Sequence, residues 1–153
     1  MTTPRERLAA LGLDLPPVAA PVAAYVPATA SGPWVMTSGQ LPSVEGKLVA
    51  TGKVGADLTQ EQAADAARTA ALNALAAAAS VTGGLDGIGR IVKVTVFVAS
   101  TPDFTGQPQV ANGASQLFVE VFGDAGQHAR SAVGVPVLPL DAPVEVELTV
   151  EPA

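Results

Sequence analysis

Along the chain, apolar residues recur with two periods, and the switch between them marks the elements. Val144, Val146, Leu148 and Val150 alternate with Glu145, Glu147, Thr149 and Glu151, the period of a half-buried strand. Ile88 to Ala99 alternates too, with Val92, Val94, Val96 and Val98 facing one way and Ile91, Lys93, Thr95 and Phe97 the other. Both sides carry apolar residues, which predicts a central strand covered on two faces. Ala63, Ala67, Ala71, Leu75 and Ala78 recur instead at helical spacing. Thr59 and Gln62 have capping-box spacing before that helix, and Gly83-Gly84 stops it. A second helix fits Pro108 to Phe122, with Val110, Ala114, Leu117, Phe118 and Val121 on one stripe and Gly123 as terminator.

Shorter signals complete the chain. Thr2 to Leu11 reads as an opening helix capped by Thr3, and Leu13 to Val22, rich in Pro and Ala, as a connector. Strands fit Ala23 to Thr29, Trp34 to Thr37 after the Ser31-Gly32-Pro33 turn, and Lys47 to Ala50 after Glu45-Gly46. Two more fit Ser131 to Leu138 and Pro143 to Val150, joined by a turn at Pro139-Leu140-Asp141. The order βββαβαββ is α+β. It predicts a mixed six-stranded sheet with two helices on one face. Residues 1–22 form an N-terminal helix and connector, and residues 23–153 a single domain. The sheet's other face is left uncovered, which predicts a closed cyclic oligomer.

Composition sharpens this picture. Hydrophobic residues make up 48% of 153 positions and aromatic ones 4%, so the core is built from small side chains in close approach. The net charge is −6 and the eight Lys and Arg are scattered, so nucleic acid is not an expected partner. There is no Cys and a single His, which excludes thiolate chemistry and predicts no metal site. No apolar run approaches the ~20 residues of a membrane span, and Met1 to Asp14 lacks a signal-peptide core. A cytoplasmic protein without a membrane partner is expected.

Familiar catalytic motifs are missing, including nucleophile elbows, zinc-binding helices and phosphate loops. Gly83, Gly84, Gly87 and Gly89 follow a helix and precede a strand, the wrong order for a phosphate at a helix N-terminus. His128 reads as a solvated loop residue. Arg130 opens an otherwise apolar strand, so it is either a strand-end charge in solvent or a fork for a planar anion. Glu145 and Glu147 read as the solvated side of an edge strand, and Ser38 and Gly39 as a strand end. Tyr25 fits a half-buried strand position with its hydroxyl at the rim.

Three segments carry a resemblance. WVMTSGQLP (Trp34 to Pro42), RIVKVTVFVAS (Arg90 to Ser100) and ARSAVGVPVLPLDAPVEVE (Ala129 to Glu147) together resemble the Rid (YjgF-type) family, formerly labelled endoribonuclease L-PSP. The resemblance implies a chorismate-mutase-like fold, a homotrimer with ligand clefts between subunits, and no cofactor. It also implies hydrolysis of reactive 2-imino or enamino acids to 2-keto acids and ammonia. By position, Arg130 matches the arginine that binds the substrate carboxylate. Tyr25, Ser38, Gly39 and Asn112 match other cleft positions, and Glu145 matches the acid associated with the attacking water. Ala132 stands where many relatives have cysteine, a position whose family role belongs mainly to the backbone carbonyl.

Departures from the family pattern place the chain in a side branch. His128 replaces the proline of P-x-R-S, giving QHARS over Gln127 to Ser131, and the N-terminus through Val22 is extended. The expected function is a homotrimeric imine/enamine deaminase acting on a small 2-imino acid and releasing a 2-keto acid. A non-catalytic carboxylate-binding or regulatory protein on the same fold is the alternative. Ribonuclease activity, suggested by the old label, fits the acidic charge poorly.

Overall fold

A computed structural model describes residues 1–21 and 23–153, and the predicted boundary at residue 22 lies outside the described residues. Helix α1 (Pro4–Ala10) opens the chain, and its N-cap Thr3 forms a complete capping box with Glu6. Strands β1 (Ala28–Ser31) and β2 (Trp34–Thr37) follow, then the short β3 (Ser43–Val44) and β4 (Lys47–Leu48). Helix α2 (Gln60–Thr82) leads to β5 (Ile88–Ala99), α3 (Gln107–Phe122), β6 (Ala129–Val135) and β7 (Val144–Pro152).

The capping box of α2 forms as its spacing predicts. Thr59 Oγ1 accepts the Gln62 N–H at 3.2 Å, and the Gln62 side chain accepts the Thr59 N–H at 2.9 Å. At the other end Gly83 takes a left-handed φ of 83°, a conformation that strains most L-residues.

The main sheet has five strands in the order β1-β2-β7-β5-β6, not six. Only β6 runs parallel to its neighbour, as expected for a strand reached through the crossover helix α3. The predicted third strand instead pairs locally, β4 folding back on β3 through Glu45 and Gly46. Both turn residues have positive φ (51° and 79°), the geometry of a tight two-residue hairpin. Asn73 of α2 anchors this hairpin, its side-chain amide donating to the carbonyls of Leu41 and Ser43 at 3.0 and 2.9 Å. The first strand begins at Ala28 and not at Ala23, because Pro27 has no N–H to offer a ladder.

Strand β7 is interior, lying between β2 and β5, which corrects the edge-strand reading of Glu145 and Glu147. Its apolar alternates Val144, Val146, Leu148 and Val150 are buried, and the strand packs under α2. In β5 the simple alternation fails near its start. The pairing with β7 runs from Ile91↔Val150 directly to Lys93↔Thr149, so Val92 is the extra residue of a bulge. The bulge puts Ile91 in the core beside Val94, Val96 and Val98, and leaves Val92 half-buried.

Helices α2 and α3 cover one face of the sheet. Alanines 63, 66, 67, 70, 71 and 74 of α2 are fully or almost fully buried. Where α3 crosses α2, a Cβ on Gly113 would collide with the backbone carbonyl of Ala64. Leu8 of α1 is 2% exposed and joins the same core, with Leu13 and Leu15 packed beside it. Among the described residues no helix covers the opposite face, where Trp34, Met36 and Val133 are exposed.

The contact at Gly113 yields a test in which two effects oppose. Alanine is the better helix former by about 1 kcal/mol, whereas overpacking a closed contact costs about 1–3 kcal/mol. Here the obstacle is backbone, which cannot rotate away, so Gly113→Ala lowers stability in urea unfolding despite its propensity gain.

Candidate functional site

The residues singled out by sequence fall into two groups. The first gathers where β2 ends beside β7. The Ser38 N–H donates to the Pro27 carbonyl at 2.8 Å, and the Ser38 hydroxyl donates to the Val26 carbonyl at 2.6 Å. This fastens the segment after Tyr25 to the end of β2. Gln40 pairs with Val146 of β7 through backbone bonds of 2.8 and 3.0 Å. Between them Gly39 lies against the Glu145 carboxylate so closely that a Cβ would collide with it. Glu145 is half-buried, and burial first, then the neighbouring Glu147, raises its pKa above the ordinary 4.5. A carboxylate so placed is a better proton acceptor than one in solvent.

The second group lies at the other side of the sheet, where β6 meets α3. Arg130 Nη1 donates to Asn112 Oδ1 at 2.8 Å and to Ser115 Oγ at 3.1 Å. Asn112 and Ser115 are three residues apart on α3, hence on one helix face. Ala132 follows two residues later on β6, half-buried against the core. β6 is an edge strand, so part of its backbone faces outward unpaired. The half-buried Arg130 has no carboxylate partner among the described residues.

His128 is not the solvated loop residue that the sequence suggested. Its Nδ1 lies 2.6 Å from the Gly126 carbonyl and its Nε2 2.9 Å from Ser115 Oγ. Its ring meets Phe118 edge-on, with centroids 5.8 Å apart and planes at 83°. A carbonyl can only accept, so Nδ1 carries the proton and neutral Nε2 accepts from the Ser115 hydroxyl. Ser115 Oγ is then free to accept from Arg130. Burial, the largest cause, and the charge of Arg130 both lower the His128 pKa, against the raising effect of the Gly126 carbonyl. Ser115 was missed in the sequence, although its three-residue spacing from Asn112 was there to be read.

The two groups do not meet within one chain. Arg130 is in register with Val94 of β5 and, through it, Leu148 of β7, so it belongs to the helix-covered face. Glu145 is in register with Phe97, which pairs with Val133, on the uncovered face.

This arrangement can be set beside known proteins. A family model described as "YjgF/chorismate_mutase-like, putative endoribonuclease" matches residues 5–151. The chain belongs to the YjgF/chorismate mutase-like family. Protein TCP17 of Trypanosoma cruzi is 47% identical over 142 residues, 92% of this chain and 89% of that protein. The crystal structure of Atu1372 from Agrobacterium tumefaciens is 44% identical, with a TM-score of 0.90 over 98% of this chain and 92% of its own. Escherichia coli TdcF, solved with bound serine, is 28% identical, with a TM-score of 0.64 over 91% and 94% of the two chains. Among the described residues of this family member, no helix is long and apolar enough to cross a membrane, and no cluster of His, Cys, Asp and Glu could hold a metal ion.

The network around His128 predicts a pH signature. A histidine whose folded pKa lies below its ordinary 6.5 leaves the unfolded chain binding more protons in that window. Its contribution to stability is therefore complete above 6.5 and is lost as pH falls from there through the folded pKa. Glu145, with a raised pKa, acts in the opposite sense, so a variant must isolate the histidine. In urea titrations across this range, His128→Phe removes part of the acid-side loss seen in wild type. Ser115→Ala strips partners from His128 and Arg130 together and costs about 1 kcal/mol at neutral pH.

Proposed function

We propose that the protein hydrolyses small 2-imino or enamino acids to 2-keto acids and ammonia, at clefts that two copies of the chain form together in a homotrimer. The observation that carries this reading is Arg130, a guanidinium steadied by two neutral oxygens, Asn112 Oδ1 and Ser115 Oγ, with no carboxylate of its own among the described residues. A fork oriented in this way suits a ligand carboxylate. TdcF, a relative on this fold, has been solved with serine bound, a ligand that carries such a group.

The chemistry asked of the protein is modest. The carbon of a 2-iminium is already electrophilic, so a site must fix the carboxylate and direct a water. Orientation of this kind is worth several kcal/mol, up to about 7–11. Glu145 takes a proton from the attacking water as the C–O bond forms. It returns that proton to nitrogen, then takes the hydroxyl proton as C=O forms and the C–N bond breaks, and ammonia leaves carrying that proton as ammonium. Its raised pKa suits both halves of that exchange. Ser38, Gly39 and Tyr25 shape the Glu145 side of the cleft, and Asn112 and the Ala132 backbone the Arg130 side.

Because Arg130 and Glu145 look out of opposite faces of one sheet, the reading requires a second copy to supply the missing half. The uncovered face, with exposed Trp34, Met36 and Val133, offers apolar surface for such assembly. RNA cleavage, the activity in the family's description, finds little support. The net charge is −6, and both ring nitrogens of the single histidine are already engaged.

The test couples an amino-acid oxidase to trapping of the released imine. Arg130→Ala and Glu145→Gln each lose at least about 100-fold in turnover. Mixed one to one and reassembled from subunits, the two variants recover about a quarter of wild-type activity, since that share of clefts draws both intact halves. Absence of turnover by wild type, with calorimetric binding of pyruvate that depends on Arg130, would replace this reading with a carboxylate-binding protein.

A further inference from the structure

Beside the Glu145 group lies a chamber of about 640 Å³ that the proposed reaction does not yet use. Gly39 and Tyr25 are among the residues that line it, so it adjoins the glycine on which the Glu145 carboxylate rests. Its lining includes Pro16, Pro17 and Val18 of the N-terminal connector and, from elsewhere in the chain, Leu41, Leu48 and Leu72. The volume is that of a small-molecule site, since such sites span roughly 300–1,000 Å³.

The lining decides what fits. Its charged members among the described residues are Asp14 and Glu45, both acidic, and it contains no Lys, Arg or His. Nothing there neutralises a second carboxylate or a phosphate. Two of its polar side chains already donate within the protein. The Asn73 amide is spent on the hairpin carbonyls, and that of Gln40 reaches the Ser38 carbonyl at 3.4 Å. The other polar members are the neutral Tyr25, Ser43 and Thr69, and apart from two glycines the rest is proline, alanine, valine and leucine, which gain by burying apolar surface.

We infer that this chamber is the side-chain subsite of the cleft and that the chain acts on 2-imino acids with bulky apolar side chains, of the leucine or phenylalanine type, in preference to small or acidic ones. The inference rests on the proposed reaction. With the ligand carboxylate on Arg130 of one copy and the imine carbon near Glu145 of another, the side chain extends past Gly39 beneath the connector. The extended N-terminus then acts as a specificity element, since Asp14 and residues 16–21 all line the chamber.

Imino acids generated from leucine, phenylalanine, alanine and glutamate give the test. For wild type, kcat/KM is at least about tenfold higher for the leucine and phenylalanine series than for the alanine series, and lowest for the glutamate series. Two substitutions in its lining, Val18→Trp and Leu72→Phe, shrink the chamber and lower the leucine-to-alanine ratio several-fold. Equal or better turnover of the alanine-derived substrate by wild type overturns the inference and leaves the deaminase reading standing. So does an unchanged ratio in both folded variants. If no imino acid is turned over, that reading fails by itself, and calorimetry with the keto acids decides the chamber. Binding of 4-methyl-2-oxopentanoate tighter than pyruvate, and weakened by Val18→Trp, supports it; equal binding overturns it.

Discussion

Successive residues of a strand point to opposite faces, and the site depends on that constraint. β5 lies between β7 and β6, and its register ties Arg130 to Val94 and Leu148 but Glu145 to Phe97 and Val133. No side-chain rotation carries Arg130 through a sheet whose core alternates are closed against two helices. An anion fork and a half-buried carboxylate thus sit on one chain with the sheet between them. In the proposed homotrimer symmetry joins them: a surface that is half a site on each copy becomes whole when copies pack head to tail around a closed ring.

Small side chains place the parts so accurately. A core poor in aromatics lets α2 lie on the sheet through alanines and lets α3 approach α2 at Gly113, backbone to backbone. Contacts of that kind leave little room for sliding. The position of α3 fixes where Asn112 and Ser115 stand over β6, and therefore how Arg130 is held. Phe118, the largest fully buried side chain, is also the wall against which His128 packs. Core and site are in this sense one construction.

Much of this was legible in the residues. The Thr3 cap, the Thr59 capping box, the glycine stops and the alternation of β7 are local signals, and local physics realised them. What failed depends on partners that a chain does not name. The bulge at Val92 is set by pairing with Thr149 and Val150, so a strict period of two placed Val92 on one face with Val94, Val96 and Val98, and Ile91 on the other. The hairpin of β3 and β4 won over a sixth sheet strand because a two-residue turn closes at small entropic cost and Asn73 holds it. The family resemblance supplied Arg130, Glu145 and their companions, but not which face each occupies. Ser115 and the engaged state of His128 emerge only when α3 and β6 are set side by side.

His128 shows how the same local need can be met in two ways. The family pattern has proline two residues before the arginine, which restrains the approach to the strand by locking φ. Here the restraint is a run of hydrogen bonds from Arg130 through Ser115 and His128 to the Gly126 carbonyl. A proline ring is indifferent to pH, whereas this run needs Nε2 unprotonated. Once Nε2 carries a proton it donates to Ser115, and Oγ must then accept from His128 and Arg130 together while its own hydrogen turns elsewhere. Both neighbours are then cations, and the arginine's seat loosens through repulsion as well as lost direction. The substitution thus exchanges a fixed restraint for one linked to protonation. It does so next to the residue on which carboxylate binding would turn.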